Sequence, residues 1–304
     1  MDQTLYVVTA VFNPHRYKTR IKLYKDFEKY VNDSGAKLLT VELVYGDRDF
    51  VVTQEDNPFH LQLRTNTELW HKERMLNLGI QNLPKNWKYV AWVDADVVFA
   101  RPDWVHETIQ LLQHFPVIQM FSQAVDLTPK YEILKTHTGM LYAYYEGKMD
   151  DNTGTYERYH PGFAWAARRD ALNMLGGLLD IPILGSADRH MALSLIEKVK
   201  DSYPKDISVG YCEQLEMWEN RCKHYIHKNV SYMPGVLLHQ WHGKKVDRRY
   251  KDRWKILVKH KYDPEFDIKL DTQGLYQFTE RNPYLEQDIR KYFQARNEDS
   301  IDID

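Results

Sequence analysis

The sequence predicts an α/β protein with a mixed, mostly parallel central sheet flanked by helices, and three observations carry that expectation. A β-rich run, a helical period and a second β-rich run follow one another within the first 45 residues. A short apolar run at 89–93 then ends in two carboxylates, Asp94 and Asp96. Beyond them strand-like and helix-like stretches continue to alternate, as right-handed parallel units do in a doubly wound sheet.

The first strand is Leu5 to Val11, closed by the turn signal Asn13-Pro14. From Arg16 to Val31, Ile21, Tyr24, Phe27, Tyr30 and Val31 recur at helical spacing, and Asn32-Asp33-Ser34-Gly35 stops the helix. Lys37 to Tyr45 is the second strand, Thr67 to Leu83 a helix and Tyr89 to Val93 a buried strand. A helix from Trp104 to His114 and a strand from Val117 to Phe121 follow. The polar, Tyr-rich stretch 126–159 is expected to be a mobile or acceptor-facing insertion. Helices at Arg169 to Leu175 and Asp188 to Val199 and a strand near Met233 to His239 complete a domain spanning 1–245. Residues 246–304 read as a helical or irregular C-terminal extension, basic and then acidic.

Composition bounds the function. A chain of 304 residues with 43% hydrophobic side chains can bury one large core. Lys and Arg total 41 against 43 Asp and Glu, a formal charge of −2, so no global field recruits a polyanion. The charge is nevertheless segregated: Lys244 to Lys261 holds nine Lys/Arg against two Asp, and Asp263 to Asp304 holds 11 acids against five bases. Two cysteines, Cys212 and Cys222, exclude a disulfide scaffold and fit a reducing compartment. The first residues lack a basic start and a long apolar middle, and no apolar stretch approaches the ~20 residues of a membrane helix. A soluble, cytoplasmic protein without a membrane partner is expected; its oligomeric state stays open. The 21 Tyr and 8 Trp leave both carbohydrate and nucleotide chemistry open, because both ligands stack on such rings.

Four segments could carry chemistry. In Val93-Asp94-Ala95-Asp96-Val97 two carboxylates spaced i, i+2 leave the strand on the same side and can reach one divalent ion. A turn after a strand also accommodates Asp, but here the charges interrupt an apolar element and need a metal or a basic partner. In Leu238-His239-Gln240-Trp241-His242-Gly243 two imidazoles three residues apart can share a metal such as Mn²⁺ with a distant carboxylate, or be an ordinary pair of histidines. Gly185-Ser186-Ala187-Asp188 delivers a carboxylate to a helix start, as an N-cap or as a general base towards a hydroxyl. In His160-Pro161-Gly162-Phe163-Ala164-Trp165, Gly162 lets the backbone approach a ligand, and Phe163 and Trp165 offer faces to a sugar or pack into the core.

Together these segments resemble a glycosyltransferase of the Rossmann-like GT-A fold, and within it the β-1,4-galactosyltransferase-like inverting families. Trp70-His71-Lys72-Glu73-Arg74-Met75-Leu76-Asn77-Leu78-Gly79 resembles that family's aromatic-x-basic-x-basic-Leu-Leu-Asn-x-Gly helix, which implies that Trp70 and Lys72 touch the uridine end of the donor. Asp94-Ala95-Asp96 matches the Asp-x-Asp motif, implying that Asp96 holds Mn²⁺ (or Mg²⁺) with His239 and His242, and that Asp94 meets the ribose or the metal's waters. Pro161-Gly162 resembles the segment under the donor sugar, and Asp188 falls on the catalytic base. Phe12, Trp165 and Lys244 complete the expected donor-binding set with Trp70, Lys72, Asp94 and Gly162. Ala187 stands where the family has Glu and Leu184 where it has Trp, and the stretch between Asp96 and Pro161 is longer, so acceptor identity does not transfer.

The resemblance covers residues 5 to 245 as motif islands. It implies transfer from a UDP-sugar to an acceptor hydroxyl with inversion, the acceptor being a glycan or, as an alternative, a hydroxymethylated pyrimidine in phage-like DNA contacted by the basic run. Two other classes use some of the same residues. A metal-dependent phosphoryl transferase or nuclease would also use Asp-x-Asp and His, but no Gly-x-x-x-x-Gly-Lys loop supports it. A non-catalytic sugar-binding module would need the aromatics without Asp188 or a metal.

Overall fold

The computed structural model describes residues 3–149, 159–244, 246–249 and 252–300. Its strands in chain order are β1 (Leu5–Phe12), β2 (Lys37–Tyr45), β3 (His60–Thr65), β4 (Tyr89–Val93), β5 (Val97–Phe99), β6 (Val117–Gln119), β7 (Gln123–Leu127), β8 (Ile133–Gly139), β9 (Tyr159–His160), β10 (Ala164–Arg168), β11 (Val230–Tyr232) and β12 (Val236–His239), with a small hairpin of β13 (Ile268–Leu270) and β14 (Tyr276–Phe278). The helices are α1 (Lys18–Asp33), α2 (Lys72–Gln81), α3 (Trp104–His114), α4 (Met140–Tyr145), α5 (Arg169–Leu175), α6 (Ala187–Leu195), α7 (Val209–Tyr225), α8 (Asp252–Lys259), α9 (Pro264–Asp267) and α10 (Pro283–Gln294).

The central sheet has seven strands in the order β11-β6-β10-β4-β1-β2-β3. All run parallel except β10, which is antiparallel to both β4 and β6. The expected mixed, mostly parallel sheet flanked by helices is therefore the observed one. Burial on both faces follows from the period of two along β1. Leu5 and Val7 pack with Phe27 and Val31 of α1 and with Trp104, Ile109 and Leu112 of α3. Tyr6 and Val8 pack on the opposite side with Met75 and Leu76 of α2, Met191 of α6 and Tyr211 of α7. Leu257, Tyr262, Leu285, Ile289 and Phe293, from the charge-segregated part of the chain, join that second cluster. A five-stranded sheet, β5-β12-β7-β8-β9, is built beyond the end of β4.

Several boundaries differ from the sequence expectation. The helix expected from Thr67 begins only at Lys72, because Trp70 N–H bonds to Ile183 O and the turn at 67–71 is spent docking that strand-to-helix connection. Within the stretch 126–159, β8 pairs antiparallel with β7 and runs into α4, while 150–158 lie outside the described residues. Among the described residues no helix is long and apolar enough to cross a membrane.

Candidate functional site

The site lies beyond the carboxyl end of β4, where ligands bind in open α/β sheets. After Val93 the chain turns through Asp94-Ala95-Asp96 into β5, which pairs antiparallel with β12 so that His239 faces Val97. Gln240 N–H bonds to Asp96 O at 2.8 Å and fixes the two loops together. This register brings three ligand atoms into one place: His239 Nε2 and His242 Nε2 are 3.1 Å apart, and Asp96 Oδ2 lies 3.2 Å from His242 Nε2 and 3.8 Å from His239 Nε2. Adjacent ligands on bonds of about 2.1 Å stand roughly 3.0 to 3.4 Å apart, so the spacing suits one divalent cation.

The hydrogen bonding around the three groups gives a second test of that fit. His239 Nδ1 is 2.8 Å from Asp126 Oδ1, and His242 Nδ1 is 3.5 Å from Glu298 Oε2. Carboxylates facing both Nδ1 atoms favour Nδ1–H tautomers, leaving both Nε2 lone pairs directed at each other and at a carboxylate. Burial, then the Arg248 guanidinium, lowers His242 to about 4, so its imidazole is neutral near pH 7, as a metal ligand must be. Burial opposes ionisation of Asp96, but His242, His239, Arg248 and Arg20 outweigh it and hold the carboxyl below its ordinary range. Asp96 Oδ1 is buried with no hydrogen-bond partner. Electron-rich atoms converging with an orphaned oxygen fit a bound cation better than a self-sufficient polar cluster.

Beside this cluster Lys72, at the start of α2, forms an ion pair with Asp94. Burial alone would lower the Lys72 ammonium, but Asp94 and Glu73 raise it overall, so it remains a cation. Asp94 N–H bonds to Phe163 O at 2.9 Å, tying the Asp-x-Asp turn to the entrance of β10. Phe163 is left-handed at φ 72° and stacks on His160 with ring centroids 3.8 Å apart. An aromatic residue at positive φ is uncommon and marks a locally over-determined turn. Gly162 lies under Asp188: a Cβ built there would be 2.5 Å from Asp188 Oδ2. Asp188 is presented by Gly185 at φ 86° and Ser186 at φ 81°, a left-handed pair that turns the chain into α6.

A third group gathers at the ends of β1 and α2. Trp70 meets Phe12 edge-on at 5.1 Å, Arg296 lies over the Trp70 ring at 5.5 Å, and Gly185 sits beneath it. Trp165, by contrast, is buried in the core, its indole N–H bonded to Pro161 O at 2.7 Å and its neighbours Trp92, Val117 and Leu172. Lys244 directly follows the loop that carries His239 and His242, half-buried. The basic run divides: Arg248 and Arg253 are buried on the site side, whereas Lys255 and Lys259 are exposed and pair with Asp252 and Asp288. Residues 245, 250 and 251 of that run lie outside the described residues.

Sequence reasoning missed Asp126, Glu298 and Arg20. Asp126 is an acid in the otherwise apolar run Ala124–Leu127, a signal that it needs a partner; it binds His239 and also His137, at 2.6 Å. Glu298 and Arg20 pair at 2.6 Å across the whole length of the chain, and no local pattern announces that.

No protein-family model matches the chain, and no curated protein matches it. Several solved structures are similar at low identity. A mutant Drosophila β-1,4-galactosyltransferase 7, in complex with manganese, UDP-galactose and xylobiose, is 12% identical, over 93% of this chain and 97% of that one, with a TM-score of 0.40. Glucosyl-3-phosphoglycerate synthase from Mycobacterium tuberculosis, in complex with Mg²⁺ and uridine diphosphate, is 11% identical over 91% and 87% of the two chains, with a TM-score of 0.39. Mannosyl-3-phosphoglycerate synthase from Rubrobacter xylanophilus is 10% identical over 90% and 83%, with a TM-score of 0.40.

Proposed function

We propose that this protein is a metal-dependent glycosyltransferase that moves a sugar from a nucleotide-diphosphate donor, a UDP-sugar, to an acceptor hydroxyl with inversion. The observation that carries the reading is the convergence of Asp96, His239 and His242, together with Asp188 held over Gly162, whose neighbour Phe163 lies 4.6 Å from the His239 ring. Those three residues would hold Mn²⁺ or Mg²⁺, which would supply positive charge to the departing diphosphate. Trp70 and Phe12 offer ring faces to the nucleoside, Lys72 orients Asp94 towards the ribose, and Arg248 with Lys244 adds cationic charge on the phosphate side. Asp188 takes the proton of the acceptor hydroxyl as its oxygen bonds to the sugar's anomeric carbon. The bond from that carbon to the phosphate oxygen breaks, and its electron pair leaves on the diphosphate. Attack opposite the leaving group inverts the anomeric centre.

The acceptor we favour is a glycan hydroxyl. The alternative acceptor, a hydroxymethylated pyrimidine in DNA, draws on the basic run, yet five of its described cations are either buried (Arg248, Arg253) or paired with acids (Arg249, Lys255, Lys259). The test is Mn²⁺-dependent release of nucleoside diphosphate across UDP- and GDP-sugars, with glycans and hydroxymethylated DNA as acceptors and anomeric NMR on the product. Asp96→Ala and Asp188→Asn are each expected to lose at least about 100-fold in kcat/KM. Undiminished turnover by Asp96→Ala would overturn the metal assignment, and retention of the anomeric configuration would overturn Asp188 as base.

A further inference from the structure

The segment 296–300 is seated at once on the start of α1, on the loop that carries His239 and His242, and on Trp70. Tyr17 O–H bonds to Arg296 O at 2.7 Å, and the Asp299 carboxylate accepts from Lys18 N and Thr19 N at the start of α1. Trp241, between the two metal-loop histidines, donates its indole N–H to Ser300 O at 2.7 Å. Gly243, left-handed at φ 89°, leaves no room for a side chain: a Cβ there would be 2.9 Å from Glu298 Cα. Arg296 lies over Trp70 and donates to Arg248 O and Tyr292 Oη.

At the centre of this segment is one carboxylate. The Glu298 side chain is 2% exposed; its Oε1 is 2.9 Å from Arg296 Nη2, and its Oε2 is shared between Arg20 Nε at 2.6 Å and His242 Nδ1 at 3.5 Å. Two arginines hold the carboxylate in place, so it is a fixed acceptor and not a mobile counter-ion. Behind the other histidine the corresponding pairing is already closed, with Asp126 2.8 Å from His239 Nδ1. Carboxylates placed behind ligand imidazoles fix tautomer and ring orientation and raise ligand basicity.

We infer that Glu298 is a positioning residue for the metal centre. By accepting from His242 Nδ1 it aims His242 Nε2 at the ion, and it thereby makes docking of the segment 296–300 and metal binding one coupled event. His242 Nδ1 is buried without a hydrogen-bond partner, and Glu298 Oε2 at 3.5 Å is an acceptor that a small rotation of the imidazole would bring into range. Coupling is reciprocal, so bound metal must also hold the segment down. The inference rests on the metal centre proposed above.

The experiment measures Mn²⁺ affinity by EPR and the visible spectrum of the Co²⁺-loaded protein, for wild type, Glu298→Gln, Glu298→Ala, Asp126→Asn and Asp299→Asn, with circular dichroism confirming the fold. Glu298→Gln keeps the shape and an acceptor for Arg20 and so guards against a variant that fails to fold. Glu298→Gln and Asp126→Asn are expected to weaken Mn²⁺ binding roughly 10- to 100-fold and to alter the Co²⁺ spectrum, whereas Asp299→Asn, which loosens the docking of the segment but leaves Glu298 in place, is expected to weaken binding by less than about tenfold and to leave the Co²⁺ spectrum unchanged. In wild type, Mn²⁺ is expected to slow amide exchange across 296–300. Folded Glu298 variants with wild-type affinity and spectrum would overturn the inference while leaving the metal centre intact; an equal loss in Asp299→Asn would also overturn it, by assigning the effect to docking alone. A wild type that binds neither Mn²⁺ nor Co²⁺ would remove the metal centre itself, and this inference with it.

Discussion

Gly162→Ala separates the geometry of the proposed base from the stability of the fold. The new Cβ would stand 2.5 Å from Asp188 Oδ2 and 3.2 Å from His160 Cε1. An ordinary carbon–oxygen contact is about 3.4 Å, so the carboxylate must retreat by about 0.9 Å. Asp188 Oδ1 accepts from Arg189 N at 2.8 Å, which tethers one oxygen and turns the retreat into a rotation of the carboxylate. A misplacement near 1 Å at a reacting group costs on the order of 100-fold, about 2.7 kcal/mol in the barrier. Stability should barely move, because Gly162 is not among the left-handed glycines and the atom displaced is the end of a side chain. Alanine also restricts the unfolded chain, an effect of about 0.4 to 1 kcal/mol in the opposite direction. The assay is initial-rate sugar transfer with donor KM, alongside Mn²⁺ affinity and Tm. A roughly 100-fold fall in kcat with Mn²⁺ affinity and Tm near wild type is expected; kcat within threefold of wild type would refute the placement of Asp188 over the reacting centre.

Gly79→Ala acts on the fold instead. Its Cβ would lie 2.6 Å from Val8 Cγ1 and 2.8 Å from Val41 Cγ2, so α2 must lift off β1 and β2; a loss of about 1 to 3 kcal/mol, read as a lower urea midpoint, is expected, and an unchanged midpoint would contradict the packing. Burial lowers His71 to about 4 from its ordinary 6.5, so the unfolded chain takes up a proton that the folded protein refuses between those values. His71 therefore contributes fully above pH 6.5, and its contribution is lost as pH falls towards 4, at up to about 1.4 kcal/mol per pH unit; His71→Gln should flatten the stability profile there, and an identical slope in wild type and variant would count against it. Mn²⁺ at 100 times its Kd should stabilise the protein by about 2.7 kcal/mol, reversed by EDTA and absent in Asp96→Ala; a Tm indifferent to EDTA in wild type would contradict the site.

What the sequence made legible about the fold follows from burial. Leu5–Phe12, Lys37–Tyr45 and Tyr89–Val93 are central strands, apolar on both faces, and their runs stand out without any alignment. β3 is an edge strand whose His60, Gln62 and Arg64 dilute the apolar signal, and it went unread. β10 is Ala-Trp-Ala-Ala-Arg, poor in β-branched residues; it is a strand because β4 and β6 pair with it on both sides. α7 shows a readable stripe in Tyr211, Leu215, Trp218 and Cys222, at helical spacing, which the expected element order passed over.

The candidate site divides along a different line. Asp96, His239, His242 and Asp188 were legible because each belongs to a short segment whose residue types are costly without a partner. Their distances were not, since only the antiparallel pairing of β5 with β12 sets Val97 against His239 and so brings the neighbouring Asp96 to it, and a slip of one residue would turn that imidazole to the other face. The groups behind the two histidines are a further step removed. Asp126 reaches His239 because β7 lies parallel to β12 in a register that pairs those two residues, and Glu298 reaches His242 because Arg20 and Arg296 fix its carboxylate. By composition the acidic stretch from Asp263 reads as a solvated tail; residue by residue, two of its acids, Asp267 and Glu298, are among the most buried charges in the molecule. Net charge cannot separate those two cases, because the desolvation of a carboxylate is decided by which cations the fold brings to it and not by its neighbours in the chain.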